Sequence, residues 1–262
     1  MIQIVCIVTG TYEEYFKGFI ESLENFFPLN RKFLTILTDN LDLPQNYKCG
    51  KNIDIETVYL PNLLYPTINL NKPVLLNDQL FTKLDYYFII DVDTIFMQKD
   101  YDFWQSLMKR MNDGEILLTK HPFYSMTDNA RLWGLMKKDL ISNLYTDNLT
   151  EKDDRFSSYI PDGEYTYVNS SFWGGKRNTV KEFNDKIIEL AKYDLTRYPN
   201  GWHIPKYMDE NYINKMYWDF SNGESDLKLH ADTYSVLGNV QSNVTDTVFM
   251  YQKNLASGTK AY

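Results

Sequence analysis

Two aspartates, Asp91 and Asp93, follow a strongly apolar segment at 87–90. Mg²⁺ and Mn²⁺ prefer such carboxylate oxygens and complete their coordination with water and substrate phosphate. Because open α/β sheets bind ligands beyond the carboxyl ends of their strands, this position predicts a metal and diphosphate site. The alternative is a strand-end turn with two solvated aspartates, since two acids with one residue between them often occur by chance.

The end of the first apolar segment is the second place where a ligand could bind. Gly10 predicts a turn there, and Tyr12 follows with a ring that could stack on a base. Neither the glycine-rich fingerprint of dinucleotide-binding folds nor a phosphate-binding loop with its lysine is present in the sequence. Tyr12 could equally be an aromatic residue at a helix start that packs on the sheet.

The elements that must position these residues alternate between strands and helices. Strands are predicted at 2–8, 33–37, 53–60, 86–90, 116–119, 166–173, 227–229 and 248–251. Helices are predicted at 12–27, 103–111, 179–193 and 208–217. Residues 61–79 suggest a loop with a short helix, and Gly174–Gly175 a tight turn after a strand. The pattern predicts an α/β fold with an open, doubly wound, mostly parallel sheet.

Composition and charge narrow the function classes. The 262 residues are 44% hydrophobic and 24% charged, as in an ordinary globular domain, and we treat them as one domain. The net charge of −8 argues against nucleic acid and against a polybasic membrane anchor. Two cysteines exclude a disulfide framework, and Cys6 is predicted to be buried. Without a signal peptide or an apolar span, we expect a cytoplasmic protein with no transmembrane anchor.

Four stretches of the sequence, in this order, resemble the family 6 retaining glycosyltransferases, which include the blood-group A and B transferases and the α-1,3-galactosyltransferases. The stretches are YYFIIDVDTIF (86–96), HPFY (121–124), YIP (159–161) with YTYVNSSFWGG (165–175), and MDENYINK (208–215). The N-terminal strand and helix through Asp39 are also similar. The resemblance spans roughly residues 2–255. Within the family, the chain looks like a short bacterial or phage-type member.

The resemblance implies one GT-A domain over residues 1–262, with a Rossmann-like, mostly parallel twisted sheet flanked by helices. It implies a mobile C-terminal tail from about residue 246. The implied activity is the transfer of galactose, N-acetylgalactosamine or glucose from a UDP-sugar to a terminal galactoside-type acceptor. The resemblance implies that the configuration at the anomeric carbon is retained and that the new linkage is α-1,3. The implied cofactor is Mn²⁺ or Mg²⁺, and the acceptor is an oligosaccharide or glycoconjugate.

Matching positions imply the roles of single residues. Asp91 and Asp93 match the metal ligands, Glu210 the catalytic carboxylate, and His121 an acceptor contact. We also predict that the Trp173 ring could stack on an acceptor sugar. The alternative is that Trp173 belongs to the core, as alternate residues of a strand usually do. The implied donor-binding residues are Val8, Thr9, Tyr12, Asp91, Asn169, Ser170, Ser171, Asp209 and Lys253.

The chemistry of glycosyl transfer suits these roles. Departure of UDP develops negative charge on the β-phosphate, which a metal at the aspartates, aided by Lys253, would stabilise. The sugar becomes cationic, and Glu210 could stabilise it electrostatically or as a transient nucleophile. The alternative for Asp209 and Glu210 is that acids in a first helical turn suit the macrodipole. The alternative for His121 is that it caps a strand end.

Three positions depart from the family pattern. Met208 stands where family members commonly have His, which puts one acceptor hydrogen bond in doubt. The pair Ser170–Ser171 is neither the Gly nor the Ala of the mammalian enzymes, so the donor sugar stays open. Lys72 is the nearest candidate for the basic residue of the family. Both aspartates are present, so we expect metal dependence.

Other functions remain compatible with the sequence. The chain could be another GT-A transferase, such as a lipopolysaccharide-type glucosyltransferase, or an enzyme that mainly hydrolyses UDP-sugars. It could also be a non-catalytic module that binds nucleotide sugars or glycans. The Asp209–Glu210 pair distinguishes them, because catalysis predicts that turnover requires Glu210 whereas donor binding does not.

Overall fold

A mixed β-sheet runs through the part of the chain that the structure describes. The computed structural model describes residues 1–63, 67–78, 84–120, 151, 153–161, 166–197, 205, 209–237 and 247–251. Its strands are β1 (Ile2–Val8), β2 (Lys32–Thr38), β3 (Ile53–Tyr59), β4 (Tyr86–Ile90), β5 (Thr94–Phe96), β6 (Glu115–Lys120), β7 (Val168–Lys176), β8 (Lys228–Leu237) and β9 (Thr247–Tyr251). Its helices are α1 (Glu13–Ser22), α2 (Thr67–Asn77), α3 (Tyr101–Asn112), α4 (Arg177–Arg197) and α5 (Asp209–Ser221).

The strands lie in the order β3-β2-β1-β4-β7-β6-β8-β9-β5. Strand β1 pairs in parallel with β2 and with β4, and β2 pairs in parallel with β3. Strand β7 lies antiparallel between β4 and β6. The predicted α/β architecture, a mostly parallel sheet flanked by helices, is therefore confirmed.

Two apolar clusters cover the opposite faces of the sheet. Side chains of β4 alternate between them, with Phe88 and Ile90 in one cluster and Tyr87 and Ile89 in the other. The first cluster contains residues of α1 and α3, and the second contains residues of α4 and α5. A strand buried on both faces needs an unbroken apolar sequence, which is what β4 has. Cys6 is buried in the first cluster, as predicted.

Most predicted elements are present, with ends that differ by a few residues. The strands at 2–8 and 86–90 have the predicted bounds, and the strand near 227–229 extends to Leu237. Residues 247–251 of the predicted mobile tail form β9, whereas 121–150 and 252–262 lie outside the described residues. Within the described ranges, no helix is both long and apolar enough to cross a membrane.

Helix α1 is shorter than the predicted helix at 12–27. A 3₁₀ turn covers Gly10–Tyr12, the α-helix ends at Ser22, and a second 3₁₀ turn covers Leu23–Asn25. Phe26 is extended and Phe27 has a φ of 43°, a left-handed conformation that ends any helix. Both rings are still buried in the first cluster. The apolar spacing predicted their burial correctly but not the conformation that achieves it.

Helix α2 takes up most of the segment at 61–79, where a loop with a short helix was predicted. It covers Thr67–Asn77 and contains Pro73 in its interior, where a proline removes one backbone hydrogen bond. The sequence favoured a loop because of that proline. The helix matters for function because it carries Lys72, whose side chain is buried.

The two glycines after the predicted strand at 166–173 do not form a turn. Strand β7 continues through them to Lys176, and α4 begins at Arg177. Gly174 lies opposite Phe88 of β4, and a Cβ at this position would be 2.1 Å from a ring carbon of Phe88. The absence of a side chain at Gly174 therefore makes room for the Phe88 ring, which explains the glycine without a turn.

We expect Gly174→Ala to lower the free energy of unfolding by about 1–3 kcal/mol, because the added methyl overpacks the core. Urea unfolding with a comparison of midpoint and slope measures the change. The double variant Gly174→Ala with Phe88→Leu should lose less than the two single changes added together, because the smaller side chain relieves the clash. Strict additivity would contradict this explanation.

Candidate active site

The predicted site residues gather at the carboxyl ends of β1 and β4, which lie side by side in parallel pairing. Asp91 directly follows β4, and its N–H donates a hydrogen bond to the carbonyl of Ser171 at 2.8 Å. This bond extends the pairing of β4 with β7 by one residue. Helix α5 begins at Asp209 and places two acids beside the same segment of β7. The structure thus brings the Asp91 strand, the 169–171 segment and the acidic helix start together.

Lys72 is the cation at the centre of this site. Its Nζ donates to Asp91 Oδ1 at 2.6 Å and to the carbonyl of Ser170 at 2.9 Å. Asp209 Oδ2 is 3.6 Å from the same nitrogen. The ammonium also lies 5.0 Å from the centre of the Trp173 ring, within cation–π range. One buried lysine therefore links α2, the end of β4, β7 and α5.

The charges of this site perturb one another. Burial alone would lower the pKa of the Lys72 ammonium, but the carboxylates of Asp91 and Asp209 outweigh it, and the pKa is raised. Burial raises the pKa of Asp209 to about 6, against the attraction of Lys72 and with the added repulsion of Asp91 and Glu210. Lys72 is thus charged at neutral pH, while Asp209 titrates much closer to neutrality than an ordinary aspartate.

Glu210 is partly exposed, and hydrogen-bond donors hold both of its carboxylate oxygens. The Tyr167 hydroxyl donates to Oε1 at 2.5 Å. The N–H and the hydroxyl of Ser170 donate to Oε2 at 3.1 and 3.0 Å. Burial raises the pKa of Glu210, whereas these hydrogen bonds and Lys72 lower it. Burial outweighs them, so the pKa of Glu210 is raised above its ordinary value, while the hydrogen bonds fix the orientation of the carboxylate.

An asparagine attaches the start of α5 to β7. The Asn214 side chain accepts from the N–H of Val168 and donates to the carbonyl of Val168, both at 2.8 Å. It also donates to the backbone carbonyl of Glu210 at 2.8 Å. The amide therefore pairs with β7 as a neighbouring strand would and ties Glu210 to that strand. The sequence contains no pattern that predicts this contact.

The two aspartates of the predicted metal site differ in accessibility. The Asp91 side chain is 37% exposed, whereas Asp93 is 1% exposed. Across the described residues, no group of three or more His, Cys, Asp or Glu side chains is arranged to hold a metal. Two carboxylates still suit a hard divalent cation whose other ligands are water and phosphate. Asp91 is the accessible carboxylate of the two, and the binding of Mg²⁺ or Mn²⁺ stays a prediction.

Trp173 does not fit its predicted role as an acceptor platform. Its side chain is fully buried in the second cluster, and its indole N–H donates to Asn184 at 2.9 Å. An acceptor sugar could stack only on an exposed ring face. Its position below the Lys72 ammonium instead makes Trp173 part of the floor of the site, as the alternation of core residues on a strand suggested.

The predicted nucleotide end lies at the tip of β1. Val8 and Thr9 are buried, whereas Tyr12 is 41% exposed and packs edge-on against Tyr15. Gly10 has a φ of 56°, and its N–H donates to the two carboxylate oxygens of Asp39 at 3.2 and 3.3 Å. The exposed ring of Tyr12 beside a turn fixed in this way is available for stacking on a base, and Val8 could contribute only through its backbone.

The 169–171 segment presents its backbone and one hydroxyl to the charged groups. Asn169 turns its side chain back to accept from the N–H of Ser171 at 2.6 Å, and both residues are buried. Ser170 is partly exposed and contacts both Lys72 and Glu210. Of this predicted donor-binding segment, Ser170 is the residue that opens toward the site.

Two predicted site residues lack a described position, and two residues of the site were not predicted to belong to it. His121 and Lys253 lie outside the described residues. Lys72 entered the sequence analysis only as the nearest basic residue, and its position inside a proline-containing segment hid its role. Tyr167 entered only as a member of the matched stretch at 165–175, and no spacing in the sequence indicated that its hydroxyl meets Glu210.

Comparisons with known proteins add no assignment. A scan against protein-family models found no match for this chain, and a search of curated proteins found none either. The functional argument therefore depends on the geometry of the site and on the resemblance of its segments.

We expect the contribution of Asp209 to the stability of the folded state to fall as the pH rises from about 4 to about 6, because the raised pKa of Asp209 makes the folded state bind this proton more tightly than the unfolded chain does. Asp209→Asn removes the effect, so the variant should gain on the order of 2 kcal/mol relative to wild type across that window. Urea unfolding at both pH values measures the difference. Glu182→Gln, which removes an exposed carboxylate from α4, should change nothing, and equal pH profiles for Asp209→Asn and wild type would contradict the expectation.

We expect Lys72→Met to lower the free energy of unfolding at pH 7.5 by about 3 kcal/mol, because it leaves two carboxylates close together without their cation. The loss should shrink near pH 5, where Asp209 can take up a proton. Adding Asp209→Asn to Lys72→Met should recover part of the loss in the same unfolding measurement. A double variant no more stable than Lys72→Met would show that the two groups are not coupled.

Proposed function

We propose that this chain is a retaining glycosyltransferase of the GT-A type that moves a hexose from a UDP-sugar to a terminal galactoside-type acceptor. The observation that carries the proposal is the Glu210 carboxylate, which three donors hold beside the Lys72–Asp91 pair at the carboxyl edge of the sheet. The resemblance to the family 6 transferases supports it, because the matched positions 91, 170, 209 and 210 meet at one place. An anion held beside a cation is what separation of a sugar from a diphosphate requires.

The nucleotide end of the donor belongs at the tip of β1 in this proposal. The exposed Tyr12 ring stacks on uracil, and the turn at Gly10, which has no side chain, lets the base approach the backbone closely. From there the diphosphate extends along the edge of the sheet to Asp91, since β1 and β4 are neighbours. The family resemblance, and not the geometry of this tip, specifies uridine.

The diphosphate end carries the leaving group. A divalent cation bound by Asp91 and Asp93 would neutralise the charge that develops on the departing phosphate. Lys72 already holds Asp91 in place through its 2.6 Å contact and keeps a full positive charge beside this position. Asp91 can therefore present its second oxygen without the cost of reorienting.

At the sugar, Glu210 stabilises the transition state. The bond between the anomeric carbon and the β-phosphate oxygen breaks, and its electron pair leaves with UDP. The positive charge that develops on the ring faces the Glu210 anion, and the acceptor oxygen then bonds to the anomeric carbon while its proton passes to the departing phosphate oxygen. The donors on Glu210 keep the anion oriented before the substrate arrives.

The test is UDP release from a panel of UDP-sugars, with and without a galactoside and with Mn²⁺ or EDTA. We expect release from one sugar that a galactoside accelerates and that EDTA abolishes. Glu210→Gln should lower turnover by about 10²- to 10³-fold, because the variant is neutral where the transition state needs an anion. Its affinity for the UDP-sugar, measured by calorimetry, should stay near that of wild type.

Glu182→Gln, with an exposed carboxylate on α4, is the matched control and should keep wild-type turnover. Release that galactosides do not accelerate would favour a UDP-sugar hydrolase. Donor binding without release under any condition would favour a non-catalytic binding module. Wild-type turnover in Glu210→Gln would remove Glu210 from the mechanism.

A further inference from the structure

The hydrogen bonds of Glu210 distinguish its two carboxylate oxygens. A carboxylate has about four acceptor positions, two on each oxygen. Oε2 accepts two bonds from Ser170, which fill it, whereas Oε1 accepts one bond from Tyr167. Counting donors from the described residues, Oε1 is the oxygen with an acceptor position left for a ligand. The Tyr167 hydroxyl is therefore bound to the oxygen that keeps an acceptor position for a ligand.

Tyr167 is fixed in place by burial and by the hydrogen bonds of the residue that follows it. It directly precedes β7, and its side chain is fully buried. The next residue, Val168, is tied at both its N–H and its carbonyl to Asn214, one turn after Glu210 on α5. The backbone that carries the phenol and the helix that carries the carboxylate are thus joined directly. The hydroxyl and Oε1 stay at hydrogen-bond distance because their supports cannot separate easily.

We propose that Tyr167 is the positioning residue of the reaction, the group that aims Glu210 Oε1 at the anomeric carbon. The inference rests on the proposed function, since it assigns Tyr167 a role in that same transfer. A phenol that donates to a carboxylate forms a short, charge-assisted hydrogen bond with a preferred direction. Tyr167 acts through Glu210 and exchanges no proton with the substrate.

The same contact controls the charge of Glu210. Among the described residues, the charged and titratable groups that act on this carboxylate are Tyr167 before β7, Lys72 on α2 and Asp209 on α5. Burial raises the pKa of Glu210, and among the opposing contributions the Tyr167 hydrogen bond is the largest. Loss of the phenol hydroxyl would therefore both loosen Oε1 and raise the pH at which the anion forms.

The test is Tyr167→Phe, which removes one oxygen and keeps the ring. We expect kcat to fall about 10- to 100-fold with KM for the UDP-sugar nearly unchanged, the loss expected for one hydrogen bond to a charged group. The acid limb of kcat should move to higher pH, because a Glu210 without this donor takes up a proton more readily. Steady-state rates between pH 5 and 9 measure both effects.

Tyr212→Phe is the matched control. Tyr212 is also a buried tyrosine, two residues after Glu210 on α5, and its hydroxyl donates to Asp194 at 3.0 Å. Its loss removes a buried hydrogen bond and should lower stability, but kcat and the acid limb should match wild type. Urea unfolding of both variants checks that each is folded under assay conditions.

The outcomes separate the inference from the function that it builds on. Tyr167→Phe with a wild-type kcat and acid limb, in a chain that Glu210→Gln inactivates, would overturn the inference and leave the proposed function intact. Equal losses in both Phe variants with no movement of the acid limb would assign Tyr167 a structural role and also overturn it. A wild-type chain that turns over no UDP-sugar would remove the proposed function, and the inference with it.

Discussion

The buried ammonium of Lys72 is the interaction on which this arrangement depends. Without it, the Asp91 and Asp209 carboxylates would repel each other with no cation between them, and the buried Asp209 would take up a proton more readily. The lysine offsets one of the two negative charges and also donates to the carbonyl of Ser170, so it holds the end of β4, β7 and the start of α5 together. Electrostatic balance and backbone geometry are thus set by one side chain.

The antiparallel direction of strand β7 places its first residues beside these charged groups. The strand is antiparallel to its neighbours β4 and β6, so its first residues meet the end of β4, where Asp91 leaves the sheet. Tyr167, just before β7, and Ser170, its third residue, both donate to Glu210, and the Ser170 carbonyl accepts from Lys72. A parallel strand at this place would present its carboxyl end and would need a crossover to reach the same position.

The sequence predicted those parts of the fold and the site that follow from local patterns. Unbroken apolar runs located β1 and β4, and the position of Asp91 after β4 followed from them. The acids of α5 were recognised from the resemblance. Lys72 was named only as the nearest candidate for the family's basic residue, because its contacts with Asp91 and Asp209 are decided by tertiary packing. Tyr167 was not assigned either, because the partner of a buried hydroxyl is decided by tertiary packing, and Gly174 was assigned to a turn because its neighbour Phe88 is distant in sequence.

Position 170 is unusual in how it contributes to the site. Two of its three polar contacts are made by the backbone, since its carbonyl accepts from Lys72 and its N–H donates to Glu210. The hydroxyl adds only the third. A change of side chain at this partly exposed position therefore leaves the charged framework standing. The chemical character of the surface at residue 170 can thus be varied independently of the Lys72–Glu210 arrangement beneath it.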